Sequence, residues 1–301
     1  MSTPARTIWT VAWNELADSV RSRRVIVLIL LYVAGSVAGT AVFINVLQRI
    51  EGQLVESLGL ASPGNVGSVT ATLWKSNAFR QMLTHLVGDR ALAENLLSIP
   101  PLALYYGWLS FAFAPVLVML TSTTRISEEI WTGSARFVLF RMSRLHWCAG
   151  KFGGQAVQIL FALLLSAAGA WLTGLLRMHS FEPLATARFM LLFSAKAWIY
   201  SLAFLGLALA ISQFFAAPNL AMGVGFMALV AVTVVSVLAD HFAGDGLRRL
   251  WDIAGALTPG SHRLDLWWGD AAHAVPAIAF LLTLSAVYLL AGYARFIRRD
   301  L

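Results

Sequence analysis

Charge is scarce in this 301-residue chain: Asp, Glu, Lys and Arg together make up 12% of it, about half the roughly 25% of an average soluble domain. There is one cysteine, Cys148, so no internal disulfide can form and cysteine usage says nothing about redox compartment. There is no repeat period and no low-complexity linker, which leaves a single domain as the expected organisation. The longest apolar stretches contain no acidic residue. That removes a paired-carboxylate site inside them, and no Ser/His/Asp arrangement can be assigned either.

What the chain does have is apolar length. It is 58% hydrophobic with a mean hydropathy of +0.72. Six stretches, about 25–47, 101–122, 153–176, 189–215, 219–239 and 274–294, each reach the roughly 20 residues that a helix needs to cross a hydrocarbon core. They are too long for barrel strands. The fold class expected is therefore an all-α integral membrane protein with six transmembrane helices, each satisfying its own backbone polar groups. The first stretch begins only after Arg24 and lacks a small-residue cleavage site, so it is expected to be a retained helix.

The net charge of +7 could point to nucleic acid, but its distribution argues for a membrane. With the N-terminus inside, the inner segments hold twelve cations and five acids over about 64 residues, and the outer ones nine and ten over about 99. Net values are then +7 inside and −1 outside, with Lys196 left within a span. The positive-inside rule places both termini in the cytosol.

Residues 1–24 contain Ile8, Val11, Ala12, Leu16 and Val20 at helical spacing, with Asn14, Glu15, Asp18 and Arg21 on other faces. This predicts an amphipathic helix along the inner surface, with Trp9 and Trp13 at headgroup depth and Arg21, Arg23 and Arg24 facing anionic lipid. A basic flank that merely orients the first span accounts for the arginines but not for the tryptophans. The remainder, 25–301, would hold the spans and two helical outer loops, 48–100 and 240–273. In the first loop Phe79, Met82, Leu83 and Leu86 form a stripe that Gly88 ends, and Asp89 can cap a second short helix before Pro100. In the last, residues 245–257 read as helical, and Trp267 and Trp268 belong at the interface. Gly35 and Gly39 in the first span have GxxxG spacing, which permits close helix packing.

Several sites are excluded. Gly150–Lys151 resembles the end of a P-loop, but the glycine required five residues earlier is Leu145. Asp240, His241, Asp245, His262, Asp265, Asp270 and His273 have no metal-ligand spacing, so no metal is expected. Lys196 lies about eight residues from the outer end of the fourth span. It either extends towards the headgroups or lines a central cavity, since a charge at the helix centre costs about 2.5–3.5 kcal/mol on insertion scales.

The segment 125–151 is the exception to the shortage of charge. The second span is expected to continue as a helix with Arg125 and Glu129 as an i,i+4 pair until Gly133 permits a break. Thr132 or Ser134 can then cap a short helix carrying Phe137, Val138, Phe140 and Met142, with Arg136, Arg141 and Arg144 around them. An apolar knob with a charged rim suits docking into another protein's groove. A helix lying flat on lipid or folded under the bundle fits the same residues.

Glu128 and Glu129, then Gly133-Ser134, Arg136, the apolar run through Phe140, Arg144 and Gly150-Lys151 resemble a pattern in the permease subunits of ABC-2 type exporters, in the loop between their second and third spans. Residues 9–24 are similar to the elbow helix that precedes those permeases' first span. Ser134 stands where threonine is usual, and Met142-Ser143 where a proline commonly precedes the arginine. The resemblance implies that 125–151 is a coupling segment seated on an ABC ATPase subunit, with ATP and Mg on that partner and no cofactor in this chain. It implies a second permease copy, a bacterial inner-membrane location and a non-catalytic transport role. The alternative is a membrane anchor or assembly factor that docks a cytosolic partner without transport.

Overall fold

The computed structural model describes residues 4–57, 81, 84–85, 90–178, 181–241, 255 and 258–299. Among them there is no strand. The helices are α1 (Pro4–Arg21), α2 (Arg23–Ser57), α3 (Arg90–Leu97), α4 (Pro101–Ser122), α5 (Arg125–Trp131), α6 (Ser134–Leu139), α7 (Arg144–Arg177), α8 (Pro183–Phe214), α9 (Pro218–His241) and α10 (Ala271–Ile297), with 3-10 turns at Pro259–His262 and Asp265–Trp267. The stripe Phe79–Leu86, the Gly88 stop, the Asp89 cap and nearly all of the helix expected over 245–257 lie outside the described residues.

Among the described residues six helices are long and apolar enough to cross a membrane: α2, the run Pro101–Trp131, α7, α8, α9 and α10. The protein is thus an all-helical, multi-pass membrane protein. Several helices outrun the expected spans. α7 has 34 residues, about 51 Å at 1.5 Å per residue, against a hydrocarbon core of about 30 Å. It begins at Arg144, so Lys151 lies on the same continuous helix as the third span. Between α8 and α9 only Phe215–Ala217 intervene, and Pro218 opens α9 at the position where its missing N–H is harmless.

The chain divides into two compact units. The first comprises Met1–Ile29, Phe111–Phe161 and Lys196–Leu301, and the second Leu30–Ser110 and Ala162–Ala195. In the second, Tyr106 is fully buried and its hydroxyl ties three helices, donating 2.8 Å to the Leu163 carbonyl or meeting Ser194 Oγ at 3.0 Å. Phe43 stacks on Tyr105 at 4.3 Å. Of the two GxxxG glycines, Gly39 has the Tyr105 hydroxyl 2.9 Å from where a Cβ would stand, whereas Gly35 faces open space. Close approach therefore uses one glycine of the pair.

In the first unit α8 and α10 meet backbone to backbone. A Cβ on Gly292 would lie 2.6 Å from Ala210 Cα, and one on Gly206 would lie 2.5 Å from the Ser285 carbonyl. Ser285 Oγ closes the contact by donating to the Leu202 carbonyl at 2.8 Å. Met227 and Val230 on α9 and Val287 and Leu290 on α10 stay exposed. A surface this apolar is a liability in water and an ordinary requirement against lipid tails.

Candidate functional site

The charged segment departs from a single continuous helix at two places. α4 ends at Ser122, and α5 restarts at Arg125 after a turn at Thr123–Thr124. α5 then ends before Gly133, whose φ of +74° is the left-handed conformation that a residue with a Cβ adopts at a cost of roughly 1–2 kcal/mol. This reversal launches α6. Neither Thr132 nor Ser134 caps it, contrary to expectation: the N-cap is Gly133 itself, and Thr132 Oγ1 instead donates back to the Glu128 carbonyl at 2.9 Å. Ser134 Oγ turns towards Thr132 Oγ1, 3.0 Å away. The left-handed backbone of Gly133 makes the turn, and no side chain caps α6.

On α6 and just beyond it, Phe137 and Phe140 are 76% and 88% exposed, and Arg136 and Arg141 are exposed beside them. These four form the knob and its cationic rim. Arg144 does not belong to that rim. Its guanidinium lies 5.4 Å over the Phe296 ring, and Nη1 donates to the carbonyls of Phe296 (2.7 Å), Ile297 (2.9 Å) and Arg299 (3.1 Å). A cation is favoured there because the last carbonyls of a helix have no partner within it and carry partial negative charge.

The expected Arg125–Glu129 pair is replaced by a wider, buried cluster. Lys151 Nζ lies 2.5 Å from Glu15 Oε2 and also pairs with Glu129. Arg125 Nε is 3.6 Å from Glu15 Oε1, Gln155 Nε2 donates to the same oxygen at 2.7 Å, and Ser122 Oγ supports Gln155 Oε1 at 2.9 Å. Glu15 and Lys151 are each about 4% exposed. Burial pushes the Glu15 carboxyl up, but Lys151 and Arg125, with the hydrogen bonds from Lys151 and Gln155, outweigh it and hold the group below the usual carboxylate range. α1, α5 and α7 are thereby joined through one carboxylate and one ammonium.

Glu15 reaches this place because the buried face of α1 keeps Val11 and Ala12 of its apolar pattern but is turned to take in Glu15 and Ser19 and to leave Val20 out. Val11, Ala12, Glu15 and Ser19 are buried, while Val20 is 72% exposed and Trp9 and Trp13 are 68% and 63% exposed. The reason lies on α7. A Cβ on Gly150 would meet Val11 Cβ at 2.5 Å and the Ile8 carbonyl at 2.9 Å, and one on Gly154 would meet Glu15 Cβ at 2.7 Å and the Ala12 carbonyl at 2.9 Å. Gly150 and Gly154 form the GxxxG track on which α1 lies. That spacing is present in the sequence, where Gly150 drew notice only as part of the Gly-Lys pair. Gln155 and Ser122 carry no sequence signal that marks them as members of the cluster.

The remaining expected residues separate. Arg24 turns towards protein, 3.5 Å from Glu128 Oε1 and donating to the Leu120 carbonyl at 3.4 Å and Met222 Sδ at 3.2 Å. Arg21 and Arg23 remain exposed. Lys196 donates to the Trp268 carbonyl at 3.0 Å, so its ammonium is engaged by backbone. Between α1 and the knob runs a groove of about 870 Å³, lined by Trp13, Asp18, Arg21, Phe137, Phe140 and Arg141 among others, with Glu15, Glu129 and Lys151 along its wall. Among the described residues no group of His, Cys, Asp and Glu could hold a metal.

The arrangement is a short helix with exposed aromatics, preceded by α5, which ion pairs join to the longer α1 and α7. A search of curated proteins finds no match to this chain. The family described as ABC-2 family transporter protein matches residues 9–301, so the chain belongs to that family and is a permease subunit of an ABC transporter, with an ABC ATPase implied as its partner.

Proposed function

We propose that segment 125–151 is the coupling segment of this permease: α6 seats on the ATPase subunit, and the Glu15–Lys151–Glu129 cluster carries its displacement to α1 and α7. The observation that carries the reading is the exposure of Phe137 and Phe140, at 76% and 88%, on a helix too short to persist alone. A short helix with exposed rings requires external support at its base and a partner at its tip. The cluster supplies the first, and the groove beside α1, with Arg21 and Arg141 on its lining, supplies a seat for an acidic, apolar element of the second.

In this reading α1 is an elbow helix on the inner leaflet, with Trp9 and Trp13 towards lipid headgroups, and both termini lie in the cytosol of a bacterial inner membrane. Two permease copies and two ATPases form the exporter. ATP and Mg bind the ATPases, and this chain is non-catalytic. The docking contact outweighs the rim charges, because exposed ion pairs contribute only about 0–1 kcal/mol each whereas burying an aromatic ring contributes about 1.5–3 kcal/mol.

The test is co-purification with the cognate ATPase, followed by ATPase assay in liposomes. Phe137→Asp and Phe140→Asp are expected to insert normally and to lose the partner. A second arm places cysteine at Phe140 in a Cys148→Ser background and labels intact cells with an impermeant maleimide. Labelling from outside would overturn the orientation and the coupling role together.

A further inference from the structure

Two helix caps tie the coupling segment to other spans, one received and one supplied. α5 begins at Arg125 with Thr124 at its N-cap, yet Thr124 makes no side-chain cap bond. The first-turn amides of Ile126 and Ser127 are fully buried and both donate to one oxygen, Ser212 Oγ, at 3.0 Å each. Ser212 stands near the end of α8, two residues before Phe214. A helix start leaves its first amides without intrahelical partners, and here a fourth-span hydroxyl supplies what a local residue ordinarily would.

At the other end of the segment the relation is reversed. Arg144, the first residue of α7, caps the last carbonyls of α10 through three hydrogen bonds. Trp147 and Phe296, both buried, stack at 5.6 Å beneath it. The segment is thus bracketed: its start is fastened to α8 and its finish to α10, and neither fastening touches the knob.

We propose that Ser212 and Arg144 are positioning residues that deliver movement of the coupling segment to the fourth and sixth spans. The alternative route, from Lys151 along α7 alone, uses the ion cluster and leaves both caps without a part in transmission. The proposal rests on the coupling reading above. Loss of either cap leaves Phe137 and Phe140 in place, so the partner still docks, while the displacement of α5 or α7 no longer obliges α8 or α10 to follow.

The experiment uses the full chain co-purified with its cognate ATPase in liposomes, reading two quantities: the partner retained per permease, and the ATPase rate of the complex relative to the ATPase alone. Ser212→Ala, which leaves two buried amides without their acceptor, and Arg144→Gln, which removes the guanidinium from three carbonyls, are expected to retain the partner and to lower the permease-dependent change in rate at least about tenfold. Ser212→Thr keeps the hydroxyl and is expected to restore it. Ser201→Ala serves as control, because Ser201 Oγ donates only to the Ala197 carbonyl of its own helix at 2.7 Å, and it is expected to match the parent. Parental rates in Ser212→Ala and Arg144→Gln would overturn the proposal, and so would an equal loss in Ser201→Ala or no rescue by Ser212→Thr. Loss of the partner in Ser212→Ala would make the cap part of docking and overturn it as well. If the parent chain itself does not alter the ATPase rate, or Phe137→Asp keeps full coupling, the coupling reading fails and this inference with it.

Discussion

Replacing Lys151 by methionine removes one ammonium from between two carboxylates. Breaking a buried pair by deleting one partner costs about 3–5 kcal/mol, because the other charge is left uncompensated. Two features put this site at the lower end. Glu15 keeps Arg125 at 3.6 Å and the Gln155 amide at 2.7 Å, and the Glu129 side chain, 27% exposed, can regain water. About 3 kcal/mol corresponds to about a 150-fold rise in the population in which α1 is detached from α7. The chain carries its own reporter, since Cys148 stands one turn before Lys151 on the same face of α7 and is only 6% exposed. Where opening and closing are fast, its alkylation rate follows that population. Lys151→Met should therefore raise the rate by about two orders of magnitude in detergent at neutral pH. Glu15→Gln, which leaves a neutral hydrogen-bonding group against Arg125, should raise it less. The double variant should fall at least about 1 kcal/mol short of additivity, as coupled neighbours do. A rate in Lys151→Met within about threefold of the parent, or strictly additive effects, would refute the view that the cluster holds α1 in place.

Further outcomes follow from the same geometry. Because Glu15 titrates below its ordinary value of 4.5, its contribution is complete above that value and is lost as pH falls through the lowered one; thermal midpoints in detergent should hold steady from neutrality to about pH 4.5 and then decline, less steeply in Glu15→Gln. Gly154→Ala should increase Cys148 alkylation, since its Cβ would meet the Ala12 backbone carbonyl at 2.9 Å, whereas Gly153→Ala, whose nearest neighbour is 3.8 Å away, should not, although glycine to alanine inside a helix is otherwise favourable by about 1 kcal/mol. Gly133→Ala should destabilise the α5–α6 reversal by about 1–2 kcal/mol and reduce ATPase retention without changing membrane insertion. Lys196→Met removes the bond from the ammonium to the Trp268 carbonyl and should lower the thermal midpoint in detergent, a buried hydrogen bond contributing about 0.5–1.5 kcal/mol, while leaving the coupled ATPase rate near the parental value; a large loss of rate would argue for a cavity role.

Much of this site could be read from residues alone. The break at Gly133 was legible because only glycine takes positive φ without strain, and Phe137 and Phe140 stood out as aromatics within a charged segment. The partners of the charges were not legible. Arg125 and Glu129 at i,i+4 looked self-sufficient, but each is claimed by a residue on another helix, Glu15 and Lys151. Arg144 looked like a rim charge because sequence gives no sign of which helix terminus lies nearby. Ser212 carried no signal at all, since a serine that caps a distant helix looks like any serine in a span.

Residue pattern alone established six apolar stretches long enough to cross a membrane, an amphipathic segment before them and one charged interruption. Apolar length and periodicity are local properties, and local properties fix which segments become helices. Which face of α1 turns inward, which carboxylate receives Lys151 and which span caps α5 were decided only in the tertiary structure. Those choices depend on how closely backbones approach, through Gly150 and Gly154, and on buried charges finding partners more than a hundred residues away along the chain. Once water is excluded, an unpaired ion or amide is too costly to leave, so the assembled structure, and not the local pattern, chooses the partner.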